Sequence, residues 1–113
     1  MYTLEEMEKL VEETYGDLFE VTDSYLNASQ NVIEFDRDLK VSINQAVANG
    51  EVFGKNQTER DAATQSLFGE RFDKLNALKD NESSYRTDLD LVRIRVERVR
   101  ALLRLLELAH QEK

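Results

Sequence analysis

The sequence predicts an all-α protein: a long antiparallel helical hairpin, coiled-coil-like along its seam and completed by self-association. Three observations predict it. The chain of 113 residues holds no Pro and only four Gly, and Pro is the strongest helix breaker. Apolar residues keep a 3-4 spacing from residue 4 to residue 46, the period of a helical seam. Capping motifs stand where helices should begin. The length suits a single domain over 1–113, with a helix over about 3–48, a turn over 49–56 and a helical segment over about 57–112.

The first helix opens on Thr3 with Glu6 three residues on, the spacing of a capping box, and Glu5, Glu6 and Glu8 suit the positive end of a helix dipole. The seam then reads Leu4, Met7, Val11, Thr14, Leu18, Val21, Tyr25, Ala28, Val32, Phe35, Leu39, Ser42, Ala46. All but Thr14 and Ser42 are apolar. At about 1.5 Å per residue such a helix is roughly 65 Å long. A competing pattern lies inside it. Ile33 and Phe35, then Leu39, Val41 and Ile43, alternate around Asp36-Arg37-Asp38 as a short β-hairpin would. That turn lacks Gly and Asn, and the heptad runs through it unbroken, so the helix is the expectation.

Asn49-Gly50 ends the helix, with Gly50 as the left-handed cap. Asn56, with Glu59 three residues later, reads as the next N-cap. The helix begun there carries Phe68, Phe72, Leu75 and Leu78. The polar run Lys79-Asp80-Asn81-Glu82-Ser83-Ser84 predicts a kink or break over 79–84. Beyond it, one stripe reads Tyr85, Leu89, Val92, Val96, Val99, Leu103, Leu106. A second reads Leu91, Ile94, Ala101, Leu102, Leu105, Leu108. A hairpin partner covers one narrow seam, so the surplus predicts a homo-oligomer whose face includes Leu91, Ile94, Leu102, Leu105 and Leu108.

The net charge of −8 comes from 15 basic and 23 acidic residues. The acid is concentrated in the first helix, while the terminal one is mildly basic. This balance disfavours general duplex DNA binding, which rests on neutralised phosphates. No Cys is present, which removes thiolate metal sites, disulfides and a cysteine nucleophile. No apolar run approaches a membrane span, and the acidic start at Met1 lacks a signal core, so a cytoplasmic location and no membrane partner are expected. Three Asn-x-Ser/Thr triplets, at Asn27, Asn56 and Asn81, then read as chance.

The motifs that could carry chemistry are few. Gly50-x-x-x-Gly54-Lys55 has one residue too few between its glycines for a phosphate-binding loop, Asn56 follows the lysine, and a helix precedes it. A helix N-terminus still attracts anions, which makes Gly54, Lys55, Asn56 and Arg60 candidate contacts for an anion or an acidic partner; an ordinary capped turn is the favoured reading. Glu107-x-x-His110 has the spacing of a di-iron ligand pair, but such sites need more carboxylates and normally two His, and this chain has one. Arg93, Arg95, Arg98, Arg100 and Arg104 read first as a face pairing with the acidic helix. No enzyme activity, metal or cofactor is expected.

The stretch Gly54-Lys55-Asn56-Gln57-Thr58-Glu59-Arg60-Asp61-Ala62, followed by the Leu/Arg-rich helix ending Val99-Arg100-Ala101-Leu102-Leu103-Arg104-Leu105-Leu106, resembles a group of small helical accessory proteins of tailed bacteriophages. The resemblance covers roughly residues 45–113. It implies a viral accessory protein acting in the host cytoplasm, encoded near replication and recombination functions, and binding a phage or host protein such as DNA machinery or a defence component. Two other expectations stand beside it: a helical oligomer that binds nucleic acid or a nucleotide, and a structural coiled-coil component of a virion.

Overall fold

A computed structural model of the chain describes residues 2–111. It is an all-α helical hairpin of two elements, α1 (Leu4–Ala48) and α2 (Gln57–Gln111), with no strand among the described residues. The tertiary contacts divide into two units. One joins the chain up to Leu26 to the chain from Ser83 onward; the other is Asn27–Glu82.

The expected capping box closes the start of α1. The Glu6 amide donates to Thr3 Oγ1 at 3.1 Å, and the Thr3 amide donates to Glu6 Oε1 at 3.4 Å. The end of α1 is a Schellman motif. Gly50 takes a φ of 75°, the Glu51 amide donates to the Ala46 carbonyl at 2.8 Å, and the Gly50 amide to the Val47 carbonyl at 3.1 Å. Between these ends the heptad seam faces inward: twelve of its thirteen positions are buried or half-buried. Leu4, in the first turn, is the exception at 77% exposure. The β-hairpin alternative is overturned, since residues 33–43 are helical throughout. Val32, Phe35 and Leu39 fall on the seam as a helix.

In the unit Asn27–Glu82, Ala28, Leu39 and Ala46 of α1 and Leu75 of α2 are buried, flanked by half-buried Phe35, Phe68, Phe72 and Leu78. The Lys74 ammonium lies 5.1 Å from the Phe35 ring centroid and ties the two helices across the seam. In the other unit, Met7 and Thr14 of α1 share the core with Leu89, Val92, Val96 and Val99 of α2. The helices run antiparallel there: Leu4 and Met7 line a groove with Leu103, while Asp17 pairs with Arg95 and lines another with Asp88 and Leu91.

The break expected over 79–84 is absent, because α2 is helical from Gln57 to Gln111. The inward positions explain this. Phe68, Arg71, Leu75, Leu78, Glu82, Tyr85, Leu89 and Val92 keep the 3-4 spacing straight through the polar run, and all are buried or half-buried. Within the run only Glu82 points inward; Lys79, Asp80, Asn81, Ser83 and Ser84 are exposed. Cap-forming residues cost a helix only a few tenths of a kcal/mol each on a solvated face. The run instead marks the limit between the two contact units, at Glu82 and Ser83.

Thr14 is the one buried polar side chain among the described residues, 1% exposed, and its Oγ1 makes no hydrogen bond there. An unbonded buried hydroxyl costs about 1–3 kcal/mol. Thr14→Val keeps the shape and removes the hydroxyl. It should raise the stability by about 1 kcal/mol, read as a higher urea midpoint at unchanged helix content.

Candidate association surface

The turn gathers Gly54, Lys55, Asn56 and Arg60 as the sequence predicts, but the turn uses them itself. Asn56 Oδ1 accepts from the Glu59 amide at 2.9 Å, and Glu59 Oε2 accepts from the Lys55 amide at 2.7 Å. The Glu59 carboxylate therefore already holds a backbone amide at the place where an external anion would bind. Arg60 folds back, donating to the Gly54 carbonyl and to Gln57 Oε1, each at 3.4 Å. Gly54 lies so close to α2 that a Cβ there would stand 2.6 Å from Glu59 Cβ and 2.8 Å from the Arg60 amide nitrogen. Only glycine fits this approach. The arrangement is a self-capped turn, and it does not assemble an open anion cradle.

The surplus apolar stripe of α2 behaves differently. Leu91, Ile94, Leu105 and Leu108 are 57%, 62%, 63% and 45% exposed. The inward seam of α2 reads Leu89, Val92, Val96, Val99, Leu103, Leu106. Each member is followed two positions later by a member of an outward set: Leu91, Ile94, Arg98, Ala101, Leu105, Leu108. At about 100° per residue, two positions carry a side chain to the opposite side of the helix. The outward set has its own 3-4-3-4-3 spacing, and two of its members, Leu91 and Arg98, also line grooves shared with α1.

One predicted member is misplaced. Leu102 is half-buried and lines a groove with Leu10, Thr14, Val99, Arg95 and Arg98, where it belongs to the wall between the two helices. It lies about 40° from Arg98 and about 20° from Leu91 on the helix surface, so it borders the outward line on the side facing the groove. Arg98 takes the next position of that spacing while its side chain also lines the groove with Leu10 and Thr14, and it was not legible as a member, because a search for apolar side chains passes over it. The heptad arithmetic finds it.

The arginines of α2 divide their roles. Arg95 forms an ion pair with Asp17 at 2.9 Å, and Arg100 Nε donates to Tyr15 Oη at 3.2 Å. The Tyr15 hydroxyl holds the Arg100 guanidinium above its ordinary pKa. Arg93 sits 3.9 Å from Asp90 on its own helix. Arg98 and Arg104 form no ion pair among the described residues. The acidic helix thus takes up only part of the basic set. Glu107 and His110 are exposed, and no cluster of three or more His, Cys, Asp or Glu that could hold a metal ion occurs among the described residues. No helix among them is long and apolar enough to cross a membrane. The chain matches no protein-family model, and comparisons with curated proteins and with solved structures gave no match.

Gly54→Ala should destabilise the fold by about 1–3 kcal/mol through the forced shift of the turn. Lys55→Glu, whose backbone amide does the bonding, should stay within about 0.5 kcal/mol of the parent. Urea unfolding of both variants checks the pair, and comparable losses would contradict the self-capped turn.

Proposed function

We propose that this chain is a non-catalytic accessory protein that acts by binding proteins through its helix faces, first of all another copy of itself. The observation that carries the reading is the outward stripe of α2. Four large aliphatic side chains lie exposed at 3-4 spacing over residues 91–108 of α2. Covering a Leu or Ile side chain is worth about 1.5–3 kcal/mol. A line of them repeated on two copies supplies a large apolar contact before any cost of association is subtracted.

The first part of α1 offers a second face of different chemistry. Its carboxylates Glu5, Glu6, Glu8, Glu12, Glu13, Glu20 and Asp23 are exposed, with Lys9 the one basic residue before Arg37. An assembled protein would present this acid to a basic partner, such as the nucleic-acid-binding surface of a host or viral enzyme. The resemblance of residues 45–113 to small helical proteins of tailed bacteriophages supports such a role inside an infected cell.

Light scattering on the purified chain tests the reading. The parent should weigh more than one chain at micromolar concentration. Ile94→Glu and Leu105→Glu should each shift it to a monomer with unchanged circular dichroism. A parent that stays monomeric to its solubility limit would end the assembly reading.

A further inference from the structure

We infer that two copies associate antiparallel through the outward stripe of α2, about a two-fold axis between residues 99 and 100. The inference rests on the self-association proposed above and adds its geometry. The occupant of the stripe is fixed by what the stripe itself contains. Written as heptads, Leu91, Arg98 and Leu105 occupy one seam position, and Ile94, Ala101 and Leu108 the other.

In a parallel pair like positions face each other, which sets Arg98 against Arg98 of the second copy inside an apolar seam. Reversing the second copy removes the conflict. Leu91 then lies opposite Leu108, Ile94 opposite Leu105, and Arg98 opposite Ala101, the smallest member of the stripe. The largest side chain meets the least bulky one, and every aliphatic residue meets another. The stripe spans about 26 Å at 1.5 Å per residue.

The flanks agree with the same register. Antiparallel pairing brings the flanking positions 97 and 104 together, so that Glu97 of each copy faces Arg104 of the other, twice by symmetry. Both residues are exposed, and neither forms an ion pair among the described residues. A parallel pair would place Glu97 beside Leu102 and Arg104 beside Ala109. Sliding the antiparallel pair by one heptad sets Arg98 against Ile94 or against Leu108 and leaves aliphatic side chains uncovered. This register satisfies the size and polarity of the stripe and pairs Glu97 with Arg104 on one flank, while the other flank sets Arg95 of each copy beside Leu102 of its partner. The whole stripe belongs to a single contact unit of the fold, so association asks for no rearrangement.

Charge exchange in the full chain tests the register. Glu97→Arg alone and Arg104→Glu alone should each self-associate at least about tenfold more weakly, about 1.4 kcal/mol in binding free energy. The two variants mixed in equal amounts should associate with each other, and the double exchange E97R/R104E should regain parental affinity. The absence of Cys allows a second reading by cross-linking with a short bismaleimide. L91C mixed with L108C should give a cross-linked pair containing one of each, and either alone should give little. Efficient cross-linking of L91C to itself, or no recovery on mixing the charge variants while the parent is dimeric, would overturn the antiparallel register and leave the proposed function standing. A monomeric parent would overturn both.

Discussion

The rest of the structure depends on one constraint: a helix must keep its apolar residues on one line if a single neighbour is to cover them. The 3-4 spacing meets that constraint along α1 and α2 alike. It holds the two helices together in each contact unit with few directional contacts. The Asp17–Arg95 ion pair, the Arg100–Tyr15 hydrogen bond and the Lys74–Phe35 contact lie beside the seam. These exposed polar contacts add modestly, since ion pairs in water are worth about 0–1 kcal/mol. Their arrangement helps set which side of each helix is flank and which is core.

Where α2 departs from this economy, it does so in a regular way. Over residues 91–108 a second line of side chains repeats the first at an offset of two positions. α1 exposes large apolar side chains of its own, Phe19, Leu26, Ile33 and Val47 among them, but without this alternation of 3 and 4. The turn shows the reverse case. Gly54, Lys55, Asn56 and Arg60 look like a ligand cradle by type, yet their polar atoms serve one another through Glu59 and Gln57. A motif that satisfies itself leaves little for a ligand, while the exposed aliphatic line is the surface on which the proposed association rests.

Most of the fold was legible in the sequence because the signals were local and periodic. The capping box at Thr3 and Glu6, the left-handed Gly50 and the seam from Met7 to Ala46 all stand as the residues predict. The break over 79–84 was misjudged because residue type was weighed and position was not: Asp80, Asn81, Ser83 and Ser84 sit on the solvated side, where their preference for caps costs little. Leu102 was misplaced for a related reason. It is as apolar as its neighbours and borders Leu91 and Arg98 on the helix surface, and its half-burial in the groove beside Leu10 and Thr14 is set by the packing of α1. The closeness of Gly54 to Glu59 could not be read from sequence, since it depends on how the turn folds back onto α2.

The self-capped turn also bears on how the chain finds its fold. Its hydrogen bonds span at most six residues, whereas the ties between Asp17 and Arg95 and between Tyr15 and Arg100 span 78 and 85. Closing a loop costs more entropy the longer it is, so contacts nearest the turn are the cheapest to make. Each one made shortens the effective loop for the next. The hairpin is thus built to close like a zip from its bend, and the double-sided stretch of α2 finds its intramolecular neighbour near the end of that process. Until it does, the apolar side chains of that stretch stand uncovered, and the order of closure decides which of them are buried first.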